Sequence, residues 1–127
     1  MHEKHLYEYA VLRVLPKVER EEFINIGLLL FCKRQKYLRI EYTIVPSKIR
    51  SICAEFDIEQ LKENLDSFVK IGKGDKDGGP IAAFEIAERF RWLTAVKSSS
   101  IQTSRPHSGF SGNLDATFEK LYAELVL

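Results

Sequence analysis

Apolar residues in the first third of the chain fall in strand-length runs. "LYEYAVLRVL" mixes aromatic and β-branched residues and stops at Pro16, which cannot donate to a sheet ladder. "FINIGLLLFC" is almost unbroken, as expected of a strand covered on both faces, and is the candidate for the centre of a sheet. After the polar "KRQK", the run "YLRIEYTIV" alternates. Leu38, Ile40, Tyr42 and Ile44 share one face, and Arg39, Glu41 and Thr43 share the other. The second and third runs therefore predict a hairpin.

From Pro46 the period lengthens to that of a helix. Ser47 is positioned to cap a short helix carrying Ile49, Ile52 and Cys53, and Asp57 to open a longer one, with Gln60 three places on in a capping-box pattern. Ile58, Leu61, Leu65, Phe68 and Val69 make the stripe of the longer helix. "GKGDKDGGP", with four glycines and a proline, is turn material. A third helix is predicted from about Ile81 to Thr94, with Ala83, Ile86, Ala87, Phe90 and Leu93 on its apolar face. "SSSIQTSRP" is too polar for an interior strand, which leaves an edge strand or a ligand loop. Asn113 then caps a last helix with the stripe Leu114, Phe118, Leu121, Tyr122 and Leu125. The order βββαααβα describes an α+β domain. Its small, mostly antiparallel sheet of three to four strands packs against three to four helices.

Length and composition narrow this further. A chain of 127 residues, 45% hydrophobic and 29% charged, can bury one core, so residues 1–127 read as a single domain. The net charge of +1 creates no global field for nucleic acid or an anionic membrane, so any such attraction must be local. Cys32 and Cys53 lack CxxC or framework spacing and read as reduced, buried thiols. No stretch has the length of a membrane helix, and the N-terminus lacks a signal-peptide pattern, so a cytoplasmic protein is expected. His2, His5, Cys32, Cys53 and His107 fit no zinc spacing. "GKGDKDGGP" fits neither a P-loop nor an EF-hand, so neither metal nor cofactor is expected.

One segment departs from this even distribution of charge. Between Arg89 and Asn113 stand Arg89, Arg91, Lys97 and Arg105 with no carboxylate, leaving a net −3 over the rest of the chain. Arginine forks, hydroxyls such as Ser98 to Ser100 and free backbone amides bind phosphate or carboxylate, and Gly109 would let the backbone come close to such a ligand. Arg89 and Arg91 are two residues apart on a helix and point in nearly opposite directions, so they cannot grip one ligand together. Arg89 stands one turn after Glu85, its expected ion-pair partner. Trp92 lies off the apolar stripe and either packs on another element or offers a stacking face. His107, in a polar turn between Pro106 and Ser108, is a candidate acid/base or a structural hydrogen-bonding group.

Arg13 sits inside an apolar strand and needs a partner: a carboxylate such as Glu19 or Glu22, backbone carbonyls, or a bound anion. Asn25 and Gly27 interrupt the second strand, with Gly27 marking a bulge or a close approach.

Four blocks, "YEYAVLRVLP", "EREEFINIGLLLFC", "ERFRWLTA" and "QTSRPHSG", in this order and spacing, resemble a bacterial family known as domain of unknown function 3037. The likeness covers most of the chain. The family's pattern singles out Arg13, Glu19, Asn25, Gly27, Arg89, Arg91, Trp92, Gln102 and His107. The chain departs from it at Thr103, where proline is usual, and at Lys97, where arginine is usual. The resemblance implies no activity, but it does imply a HipA-like kinase as protein partner.

Three functions are compatible with these residues. The first is a non-enzymatic binding or accessory module that engages a phosphorylated or acidic partner through Arg91, Arg105, His107 and Ser98 to Ser100. The second is a phosphoester-directed enzyme, with Glu19 or Glu22 and His107 as acid/base and Arg13 and Arg91 stabilising transition-state charge. The third is single-stranded nucleic-acid binding with Trp92 and Phe110 as stacking rings, against which the near-neutral charge counts.

Overall fold

A computed structural model describes residues 3–95 and 100–127. Strand β1 (His5–Val14) is the backbone of the fold. It pairs antiparallel with β2 (Ile24–Cys32) on one side, and β2 pairs with β3 (Tyr37–Tyr42) in the expected hairpin. Along the other side of β1 lie two short strands end to end, β4 (Ile101–Thr103) opposite Leu12 to Val14 and β5 (His107–Ser111) opposite His5 to Tyr9. The sheet thus has five strands, one more than the sequence suggested, because the outer strand is broken in two. Helices α1 (Pro46–Ile52), α2 (Ile58–Lys73) and α3 (Ile86–Thr94) precede β4, and α4 (Leu114–Leu125) closes the chain. The result is an α+β fold with a wholly antiparallel sheet.

The break has a local cause. Ser104 is buried, and its Oγ accepts from the Val11 amide at 2.9 Å while its own amide donates to the Val11 carbonyl at 2.9 Å. One side chain thus stands in for a strand residue where the backbone leaves the ladder. Pro106, two residues on, has no amide to restore pairing.

Each face of the sheet has its own core. Leu12, Val14, Leu29, Phe31 and Ile40 meet the stripes of α2 and α3, together with Ile49 of α1. Val11, Leu28 and Leu30 meet Phe118, Tyr122 and Val126 at α4. This double cover accounts for the unbroken apolar run in β2. The register slips between Leu12 and Arg13: Leu12 pairs with Gly27 and Arg13 with Asn25, so Ile26 is the extra residue of a bulge. Gly27 serves the close approach as well, since a Cβ there would collide with the Glu41 carbonyl. Beyond the bulge, Ile24 and Ile26 face the larger core, and Asn25 faces α4.

Several local expectations change. Val45, not Ser47, caps α1, because Pro46 brings a preset helical φ to its first turn. Asp57 does accept from the Gln60 amide at 3.0 Å, but the Gln60 side chain reaches forward to Asn64 instead of completing the box. The third helix begins at Ile86. The preceding Pro80–Ala83 forms a 3-10 turn that leaves Ala83 exposed and buries Ala82, and Phe84 and Glu85 are extended. Asn113 caps α4 through Ala116, at 3.1 Å. Cys32 and Cys53 are free thiols, the first buried and the second half-buried. Among the described residues, no helix is long and apolar enough to cross a membrane.

Candidate functional site

Because β1 has neighbours on both sides, one row of residues crosses three strands: Asn25 on β2, Arg13 on β1 and Gln102 on β4. All three lie on the α4 face, since their strand neighbours Val14 and Ile101 point into the opposite core. Strand alternation and the bulge together place them there; no sequence motif spans the 89 positions from Arg13 to Gln102.

Arg13 is half-buried, and its guanidinium lies over the ring of Phe23, 4.1 Å from the centroid. Among the described residues no carboxylate or carbonyl pairs with it, so none of the proposed protein partners materialises. Glu22 bonds Arg20 instead, and Glu19 is exposed in the connection between β1 and β2. The Arg13 Nε is buried without a hydrogen-bond partner, and so is the Asn25 Oδ1 beside it in the row. Such an unpaired buried group costs about 1–3 kcal/mol. The other end of the Asn25 amide is held, Nδ2 donating to the Leu125 carbonyl at 3.1 Å and tying the row to the last turn of α4.

Further along the same face lie three rings. His107 is not in a turn but begins β5, opposite Tyr9, with ring centroids 5.3 Å apart. Tyr7 follows, 6.3 Å from Tyr9, and its phenol fills the space over Gly109, where a Cβ would stand 2.5 Å from the Tyr7 oxygen. The missing side chain of Gly109 thus admits Tyr7 and not a ligand. Burial, and then the neighbouring Tyr9, raise the Tyr7 pKa above the usual phenol value. Four residues of strand separate Tyr9 from Arg13, about 13 Å. Arg105, exposed, lies on the outer edge between the two rows, in the break between β4 and β5.

The remaining candidates are elsewhere. Arg89 does not pair with Glu85; its Nη1 donates to the carbonyls of Ile71 and Gly72, at 3.3 and 3.1 Å. A cation there satisfies open carbonyls at the C-terminus of α2 and complements its dipole, which outweighs a solvated surface pair. Arg91 is exposed on α3, in the layer across the sheet from His107. Trp92, also on α3, packs at its edge against Phe68, with centroids 6.3 Å apart. Phe110 pairs with Leu6 on the sheet face opposite His107, so it shares no surface with the tyrosines. Lys97, Ser98 and Ser99 of the basic segment, and His2, lie outside the described residues, whereas the Ser100 carbonyl accepts from the Leu15 amide at 2.7 Å.

Sequence reasoning passed over Phe23, Tyr7 and Tyr9. The period-two spacing of Tyr7, Tyr9, Val11 and Arg13 was the available signal that they share a face.

The fold and this face define an antiparallel α+β domain whose sheet carries rings, amides and an arginine that pairs with no carboxylate among the described residues. The family model described as "Protein of unknown function (DUF3037)" matches residues 9–126, and the chain belongs to that family. No curated protein and no solved structure matches this chain.

Proposed function

We propose that this protein is a non-catalytic recognition module that takes an oxyanion, phosphoryl or carboxylate, on the open half of the α4 face, with Arg13 as the principal contact and Asn25, Gln102, Arg105 and His107 around it. One observation carries this: Arg13 is set in the middle of a sheet, held by stacking on Phe23, with no anionic partner among the described residues. An arginine kept half-buried and unpaired costs stability, and a bound anion would repay it. Arg89 and Arg91 are not part of this surface, the first being occupied at α2 and the second belonging to the other layer. A HipA-like kinase bearing the anion is the protein partner the family resemblance suggests. Phosphoester chemistry by Glu19 or Glu22 with His107 gains no support, because both glutamates follow β1 beyond Val14, whereas His107 stands opposite Tyr9.

The test is calorimetry and thermal unfolding with pyrophosphate. A ligand at one hundred times its dissociation constant adds about 2.7 kcal/mol to stability. That gain is expected for wild type and Arg91→Gln and should vanish in Arg13→Gln. Binding that survives Arg13→Gln, or that is lost in Arg91→Gln, would sink the assignment.

A further inference from the structure

The anion site does not stand alone on its face, and what lies beside it narrows the ligand. Along β1 the rings of Tyr7, Tyr9 and His107 precede Arg13, with Arg105 at the edge between them. We propose that this strip binds a nucleoside di- or triphosphate, its base against Tyr9 and His107 and its phosphates running toward Arg105 and Arg13. The proposal rests on the anion-binding role of Arg13 and names the rest of the ligand.

Three physical features point to this class. The exposed ring of His107, backed by half-buried Tyr9 at the margin of the α4 core, offers a base a stacking surface whose affinity does not depend on hydrogen-bond pattern. The row of rings and the row of Arg13 are separated by about 13 Å of strand, too far for one small anion to touch both and suited to a ligand with an aromatic end and a charged end. The unpaired Oδ1 of Asn25 flanks the charged end and can accept from a sugar hydroxyl.

Two competing ligands fit less well. A peptide adding itself as a strand needs an unbroken sheet edge, and this edge is interrupted at Ser104 and by Pro106, which has no amide. A polynucleotide needs a run of cations along its backbone, whereas the chain carries a net +1 and, among the described residues, Arg13 and Arg105 are the cations placed along this strip.

The experiment compares ATP, inorganic tripolyphosphate, adenosine, a phosphoserine peptide and a deoxythymidine oligonucleotide by calorimetry on the full chain, with amide chemical-shift mapping. ATP should bind at least tenfold more tightly than tripolyphosphate and shift the amides of Tyr9, His107 and Gly109. Exposed His107 can be replaced without touching either core. His107→Ala should weaken ATP at least fivefold and leave tripolyphosphate unchanged, while Arg13→Gln weakens both and Phe110→Ala, on the other face, weakens neither. If tripolyphosphate binds as well as ATP and His107→Ala changes nothing, the nucleotide assignment is wrong while the anion site at Arg13 stands. If the phosphopeptide binds through Arg13 and nucleotides do not, or the oligonucleotide binds more tightly than ATP with a steep salt dependence, the ligand class is overturned. If no phosphate compound binds, both assignments fall.

Discussion

Arg13 and Arg39 occupy the same face of the same sheet, and each holds its guanidinium 4.1 Å from the centre of a phenylalanine ring. There the likeness ends. Arg39 lies over Phe118, inside the α4 core, and bonds Glu41 at 2.6 Å, Asp115 at 3.2 Å and Glu119 at 2.5 Å. Burial alone would lower its pKa, but Tyr37 and the surrounding carboxylates hold it raised. Arg13 lies over Phe23, whose ring is half-exposed, and has no carboxylate within reach among the described residues. The same stacking contact therefore serves two purposes. Under α4 it joins a helix to a sheet; at Arg13 it holds a guanidinium that no carboxylate pairs with among the described residues.

The two phenylalanines should show the largest difference in stability. Phe118 is fully buried, so Phe118→Ala should cost about 3–5 kcal/mol in urea unfolding. Phe23 is 49% exposed, and Phe23→Ala should cost less than about 1 kcal/mol, the lost cation–π contact included. Equal costs would break the comparison.

The arginines themselves come next. Arg39→Met removes three ionic contacts while keeping some packing on Phe118, and because the carboxylates are largely solvated a loss of about 2 kcal/mol is expected. Arg13→Met eliminates a buried unpaired Nε and should leave stability unchanged or raise it by up to about 1 kcal/mol. A strong destabilisation by Arg13→Met would mean that its role is structural after all.

The smallest effect is a pH dependence on the Arg39 side. Tyr37 has its pKa raised from 10 to about 12, first by burial and then by its 2.6 Å hydrogen bond to Asp115. A phenol whose folded pKa exceeds its unfolded value contributes stability that is complete below pH 10 and disappears as pH rises from 10 to about 12. Tyr37→Phe should therefore lose less stability than wild type over that interval, which chemical denaturation at pH 8, 10 and 11.5 would detect. Arg13→Met should follow the wild-type curve.

Much of the fold was legible because its signals are local. Strand-length apolar runs marked β1 to β3, the stripe from Ile58 to Val69 marked α2, and Asp57 and Asn113 proved to be caps. The basic segment was harder. Counting charges between Arg89 and Asn113 grouped residues that the fold sends to different surfaces: Arg89 to the end of α2, Arg91 and Trp92 to the helical layer, and Gln102 and His107 to the α4 face of the sheet. Nor was the split of the outer strand readable, because it depends on the hydroxyl of Ser104 meeting the amide of Val11, 93 positions away.

The sequence by itself determined the first three strands, the longer helix α2, the final helix and their buried stripes, and the oddity of an arginine inside β1, since each depends on propensity and spacing over a few residues. Only the tertiary structure decided which polar residues share a surface. Strand pairing and one bulge bring Asn25, Arg13 and Gln102 into a row, and the placement of α4 with its acidic residues decides that Arg39 is paired whereas Arg13 meets no carboxylate among the described residues. Register is a property of paired chains, and a one-residue slip exchanges the faces of a strand, so no count along a single chain could have supplied it.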